Sequence, residues 1–92
     1  MRFKFDKNKS RSLKENPKRG IDFIEAQEIW SYPYYEDFRC DDPEQFRAIG
    51  WVKGQLYSVI FEVREDSKGE YYHLITLWKS TKEEEKLYEK NI

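Results

Sequence analysis

Residues 46 to 63, FRAIGWVKGQLYSVIFEV, constrain the fold more than any other stretch. They read as two strands, about 45–52 and 55–64, joined at Lys53-Gly54, a dipeptide whose glycine supplies the positive φ that a tight hairpin needs. The second strand is apolar on both faces, with Leu56 and Ile60 on one and Tyr57, Val59, Phe61 and Val63 on the other. A strand covered on both sides must lie inside a sheet and not at its edge, so the chain has to build a central sheet and supply layers to cover it.

The flanking segments supply those layers. "RFKF" alternates Phe3 and Phe5 with Arg2 and Lys4, the period of a half-buried strand at 2–5. Asp6 is placed to cap a polar helix, and Pro17 ends it because the ring disfavours helical geometry at Asn16. Gly20 suits a left-handed turn, and Asp22 with Glu25 has the spacing of a capping box opening a second helix over about 22–31. Phe23, Ala26, Ile29 and Trp30 give that helix one apolar face, with Ile21 as a hydrophobic staple against Ala26. Pro33 and Pro43 bracket a short edge strand at 34–39, "REDSKGE" makes a turn, and "YYHLITLW" is a last long strand. Ser80 and Glu83 are spaced as a second capping box, opening a C-terminal helix that packs through Leu87 and Tyr88. The order is β-α-α-β-β-β-β-α, which predicts an α+β domain: an antiparallel meander with two N-terminal helices and one C-terminal helix.

Ninety-two residues suit one domain spanning 1–92, and 16 aromatic residues make up in buried area for a hydrophobic fraction of only 38%. Net charge is −1, so a basic surface can arise only by segregation. Met1 to Gly20 shows it: eight Lys or Arg against Asp6 and Glu15. That segment reads equally as a groove for RNA phosphates and as the solvated face of a weak helix. Cys40 is the single cysteine, which leaves no intrachain disulfide and fits a reducing compartment. No apolar run has signal-peptide or membrane-span length, so a cytoplasmic protein without membrane contact is expected.

Catalytic signatures are few. There is no phosphate-cradling glycine loop, nucleophile elbow or pair of metal ligands, so no cofactor or metal is expected. His73 reads as a sheet-packing or surface residue ahead of a general acid or base. Trp51 and Trp78 read as core ahead of base-stacking platforms.

The pattern "FKFDKNKS", "RGIDFIEAQEIW", "EQFRAIG", "LIT" and "STKEEEKLYE" resembles the BrnT family of toxins from bacterial type II toxin–antitoxin modules. Its most specific parts are Phe3, Asp6 and Lys9, and then Gly20, Phe23, Glu25 and Ala26. The resemblance implies a RelE-like fold and a ribonuclease neutralised by a BrnA-like antitoxin, whose ribbon-helix-helix domain and not the toxin binds operator DNA. Against the family pattern, Arg19 stands for a histidine, Leu13 for an asparagine, and Gln45 and Trp78 for arginines, with Arg47 and Lys79 as neighbouring cations. Attack by a ribose 2′-OH needs a proton acceptor, a proton donor and cations for the developing phosphorane charge. The site residues this implies are Lys9, Arg19, Arg47 and Lys79. Arg19, Arg47 and Arg64 would stabilise charge only, Lys9 or Lys79 would move a proton, and Tyr88 or Glu85 are weaker proton carriers. The alternative is a catalytically degenerate BrnT-like scaffold that survives through protein contacts.

Overall fold

A computed structural model describes Met1–Ile92 as β1 (Arg2–Phe5), α1 (Lys7–Glu15), α2 (Phe23–Ala26), a 3₁₀ turn (Gln27–Ser31), β2 (Tyr35–Asp41), β3 (Glu44–Val52), β4 (Gln55–Asp66), β5 (Gly69–Lys79) and α3 (Lys82–Asn91). The fold is α+β. Asp6 caps α1 through Lys9 N, and Asn16 leaves helical geometry ahead of Pro17. The capping box between Asp22 and Glu25 is formed in both directions. Gly20, at φ +78°, closes the turn that separates the two helices. Lys53 also takes a positive φ, so both central residues of the β3–β4 turn are left-handed, as a two-residue hairpin requires.

Four expectations need correction. The sheet is not a pure antiparallel meander: its order is β1-β5-β4-β3-β2, and β1 runs parallel to β5. The chain leaves β1 at one edge, crosses the sheet through both N-terminal helices, and starts β2 at the other edge. That crossing puts both helices on one face. The second helix is not continuous either. It keeps one α-helical turn and tightens into 3₁₀ geometry at Gln27, which stacks Ala26 and Ile29 three residues apart on the buried side. The C-terminal capping box lies one residue later than expected, on Thr81 and Glu84. Ser80 instead extends the sheet, its N–H donating to Leu56 O and its hydroxyl facing the Ser58 hydroxyl at 2.9 Å. Trp51, finally, is not core: it is 45% exposed, its ring perpendicular to that of Tyr88 with the centroids 6.3 Å apart.

The main core lies between the helices and one sheet face, where Leu13, Ile21, Phe23, Ala26 and Ile29 pack on Ala48, Val59, Phe61, Leu74 and Leu77. Ile29 sits so close to β3 that a Cβ on Gly50 would lie 3.0 Å from its Cγ2. A smaller cluster of Ile49, Leu56 and Tyr88 seats α3 on the opposite face, toward the β2–β3 edge. The rest of that opposite face carries side chains only. No helix is long and apolar enough to cross a membrane.

Candidate functional site

Register decides which side chains share a face. Ala48 pairs with Val59 and Val59 with Leu77, all on the helical side, so Arg47, Ile60 and Trp78, one residue away on each strand, point to the open side. Alternation along β4 adds Glu62 and Arg64 to the open face, and a register shift opposite Ile60–Phe61 lets their β5 partners His73 and Tyr71, with Lys4 and Arg2 beyond them on β1, join it. A register shift at Phe38–Cys40 turns Arg39 there as well, its Cζ 5.7 Å from the centre of the Trp78 ring.

The four cations named from the sequence do not form one cluster. Lys9 is exposed on α1, and its backbone N–H alone is used, by the Asp6 cap. Arg19 and Lys79 are neighbours on the helical side through Tyr57, whose hydroxyl donates to Arg19 O at 2.6 Å and whose Cα pairs with Lys79. Arg19 Nε donates to Leu77 O at 3.2 Å, beyond the end of β1. Arg47 lies across the sheet from all three. It is ion-paired to Asp37 through Nη2, with Nε donating to Asp37 Oδ1 at 2.9 Å and Nη1 to Glu84 Oε2 at 3.2 Å. Asp37, ahead of Glu84, holds the guanidinium in its charged form.

The cations of β1 and β4 are paired too. Arg2 and Lys4 share Asp66, and Arg64 holds Glu62, which also accepts from Gln45 Nε2 at 2.9 Å. Those bonds, Gln45 first, pull the Glu62 carboxyl below its ordinary range. Beside them, His73 pairs in register with Lys4 on β1 and Glu62 on β4, and its ring makes no hydrogen bond within the chain. Burial, then the Arg64 charge, lowers its pKa, which keeps the imidazole neutral at pH 7.

A pocket of about 260 Å³ opens farther along the same face, lined by Phe38, Arg39, Arg47, Ile60 and Trp78. Its indole is fixed, because Trp78 Nε1 donates to Glu84 Oε1 at 2.9 Å. A larger hollow, about 400 Å³, lies between α1 and α2 against Lys7, Arg11 and Lys14 and contains none of the four cations named above. No three His, Cys, Asp or Glu side chains gather in a metal-holding arrangement. Cys40 is half-buried, its Sγ 3.3 Å from Pro43 O.

Sequence reasoning passed over Arg39 and ranked His73 and Trp78 as packing residues. Strict alternation would put His73 and Trp78, five positions apart, on opposite faces; the register shift opposite Ile60–Phe61, between Leu74 and Thr76, brings them to the same one, and no local signal in the sequence marks it. For Arg39 the signal lies in the bulge alone.

Compared with known proteins, no family model matches this chain, and no curated protein matches it.

Proposed function

We propose that this protein is a BrnT-like ribonuclease toxin of a type II toxin–antitoxin module, RelE-like in topology, acting in the cytoplasm and neutralised by a BrnA-like ribbon-helix-helix antitoxin. RNA meets it on the open face of the sheet. The observation that carries the reading is the setting of His73, a neutral imidazole on a solvent-facing sheet surface, flanked by Lys4 and Arg64.

Metal-independent cleavage follows from such a group. His73 accepts the proton of a ribose 2′-OH as that oxygen attacks the adjacent phosphorus, and the bond from phosphorus to the 5′-oxygen breaks. The products are a 2′,3′-cyclic phosphate and a 5′-hydroxyl. Arg64 and Lys4 face the charge that develops on the phosphorane oxygens. The leaving oxygen takes a proton from Tyr71, two residues from His73 on the same face and 4.3 Å from Lys4 Nζ at its ring centre. Lys9 and Lys79, on the helical side, are then outside the reacting centre.

One observation favours the catalytically degenerate scaffold instead: Arg2, Lys4, Arg47 and Arg64 each hold a carboxylate, which weakens the field available to a phosphate. Antitoxin-free protein incubated with RNA in a chelator separates the two. The ribonuclease reading expects cyclic-phosphate ends that disappear in a folded His73→Ala variant. Intact RNA with folded wild-type protein, together with co-purification of a ribbon-helix-helix partner, establishes the scaffold.

A further inference from the structure

We propose that the pocket at Arg39, Ile60 and Trp78 is a subsite for one nucleotide unit of single-stranded RNA, its base stacked on the Trp78 indole and its phosphate held by Arg39. The subsite rests on the RNA-directed reading above and adds to it the group that positions the strand.

Three features point to this ligand. The indole is immobilised before anything binds: Glu84 Oε1 accepts from Trp78 Nε1 and from Thr81 N, so the ring plane is set by the cap of α3. Beneath it Ile60 is fully buried, which gives the pocket a dry apolar floor. Over the ring lies Arg39, exposed, with no carboxylate partner, in contrast to the paired Arg2, Lys4, Arg47 and Arg64.

A cation that is held only by a π face can exchange that contact for a phosphate while the freed indole receives a base. Arg47, with three of its N–H groups committed to Asp37 and Glu84, acts here as a strut for Glu84 and not as a phosphate ligand. The volume, below the ~300–1,000 Å³ common for small-molecule pockets, suits one ring and not a run of several. Trp78 lies five positions beyond His73 on β5, roughly 16 Å of strand, so an RNA strand anchored at Trp78 can reach the imidazole a few nucleotides away.

The test measures anisotropy of a short fluorescein-labelled, 2′-O-methylated single-stranded RNA, which binds without being cleaved. Trp78→Leu should weaken binding roughly tenfold, and Trp78→Phe should retain most of it. Arg39→Ala should weaken binding and reduce the slope of log affinity against log salt by about 0.7. An abasic oligomer should lose the dependence on Trp78 and keep the dependence on Arg39. Arg39 is on the surface, so its variant carries the test if Trp78→Leu disturbs the fold. Wild-type affinity in folded Arg39→Ala and Trp78→Leu proteins overturns the subsite alone, as does a loss confined to antitoxin binding. Failure of the wild-type protein to bind RNA at all overturns both the subsite and the RNA-directed reading.

Discussion

Glu84 Oε2 accepts a hydrogen bond from Arg47 Nη1 at 3.2 Å, which ties the first turn of α3 to the middle of β3. The other carboxylate oxygen accepts from Trp78 Nε1 and Thr81 N. One buried carboxylate thus completes a helix cap, orients an indole and balances a guanidinium. It occupies the position where a helix packing on a sheet would ordinarily place an apolar residue.

Glu84→Ala should therefore cost about 3–5 kcal/mol of stability, because it leaves Arg47 half-buried and short of a partner and removes the cap contact. Glu84→Gln keeps an acceptor for Trp78 and Thr81 and should cost less, about 1–3 kcal/mol. Urea unfolding of the two variants checks the order. Equal losses would show that the charge, and not the hydrogen-bond geometry, carries the effect.

Close packing at β3 makes a steric prediction. A Cβ on Gly50 would lie 3.0 Å from Ile29 Cγ2, within a layer where Ile29 is fully buried. Gly50→Ala should destabilise by about 1–3 kcal/mol. In a double-mutant cycle with Ile29→Ala the losses should be less than additive, since the smaller side chain makes room. Strict additivity in thermal melts would place the strain elsewhere.

Acid sensitivity should centre on Glu25. Hydrogen bonds from Lys14, then Lys53, with the Asp22 backbone N–H, pull its carboxyl from 4.5 down to about 2. Because the folded pKa is the lower one, the stabilisation is present above 4.5 and is lost as pH falls toward 2. Both lysines are well exposed, so salt screens the effect. Stability measured across that window should fall less steeply in Glu25→Gln than in wild type, and more so at low ionic strength. Parallel profiles would assign the acid response to other carboxylates, Asp66 first.

On the proposed ribonuclease reading, cleavage should keep its base at mildly acid pH. Burial and Arg64 lower the pKa of His73 below 6.5, so the acid limb of the rate profile should fall below that value. Arg64→Ala removes one of the three lowering causes, burial, Arg64 and Lys4, and should move the limb upward, along with slowing the reaction. Lys79→Ala, on the opposite face, should leave both limb and rate close to wild type. A rate lost in Lys79→Ala and kept in His73→Ala would move the chemistry to the helical side, beside Arg19.

Features set by neighbours within about four residues were legible from the order of amino acids. The Asp6 and Asp22 caps, the stop at Pro17, the Lys53-Gly54 turn and the central place of β4 depend on local backbone geometry and local hydrophobic period and stand where they were read, although the burial of β4 ends at Glu62 and leaves Val63 exposed. The Thr81 cap was missed by one residue because Ser80 and Thr81 offer the same hydroxyl, and only the Ser80–Ser58 contact across the sheet chooses between them. The parallel pairing of β1 with β5 joins residues nearly seventy apart, a distance over which no local propensity acts. Which cations share a face was likewise decided by strand order, pairing register and the bulge at Arg39. A shift of one residue reverses every side chain beyond it, so Arg47 and Lys79, equivalent as bases in the sequence, end on opposite sides of the sheet.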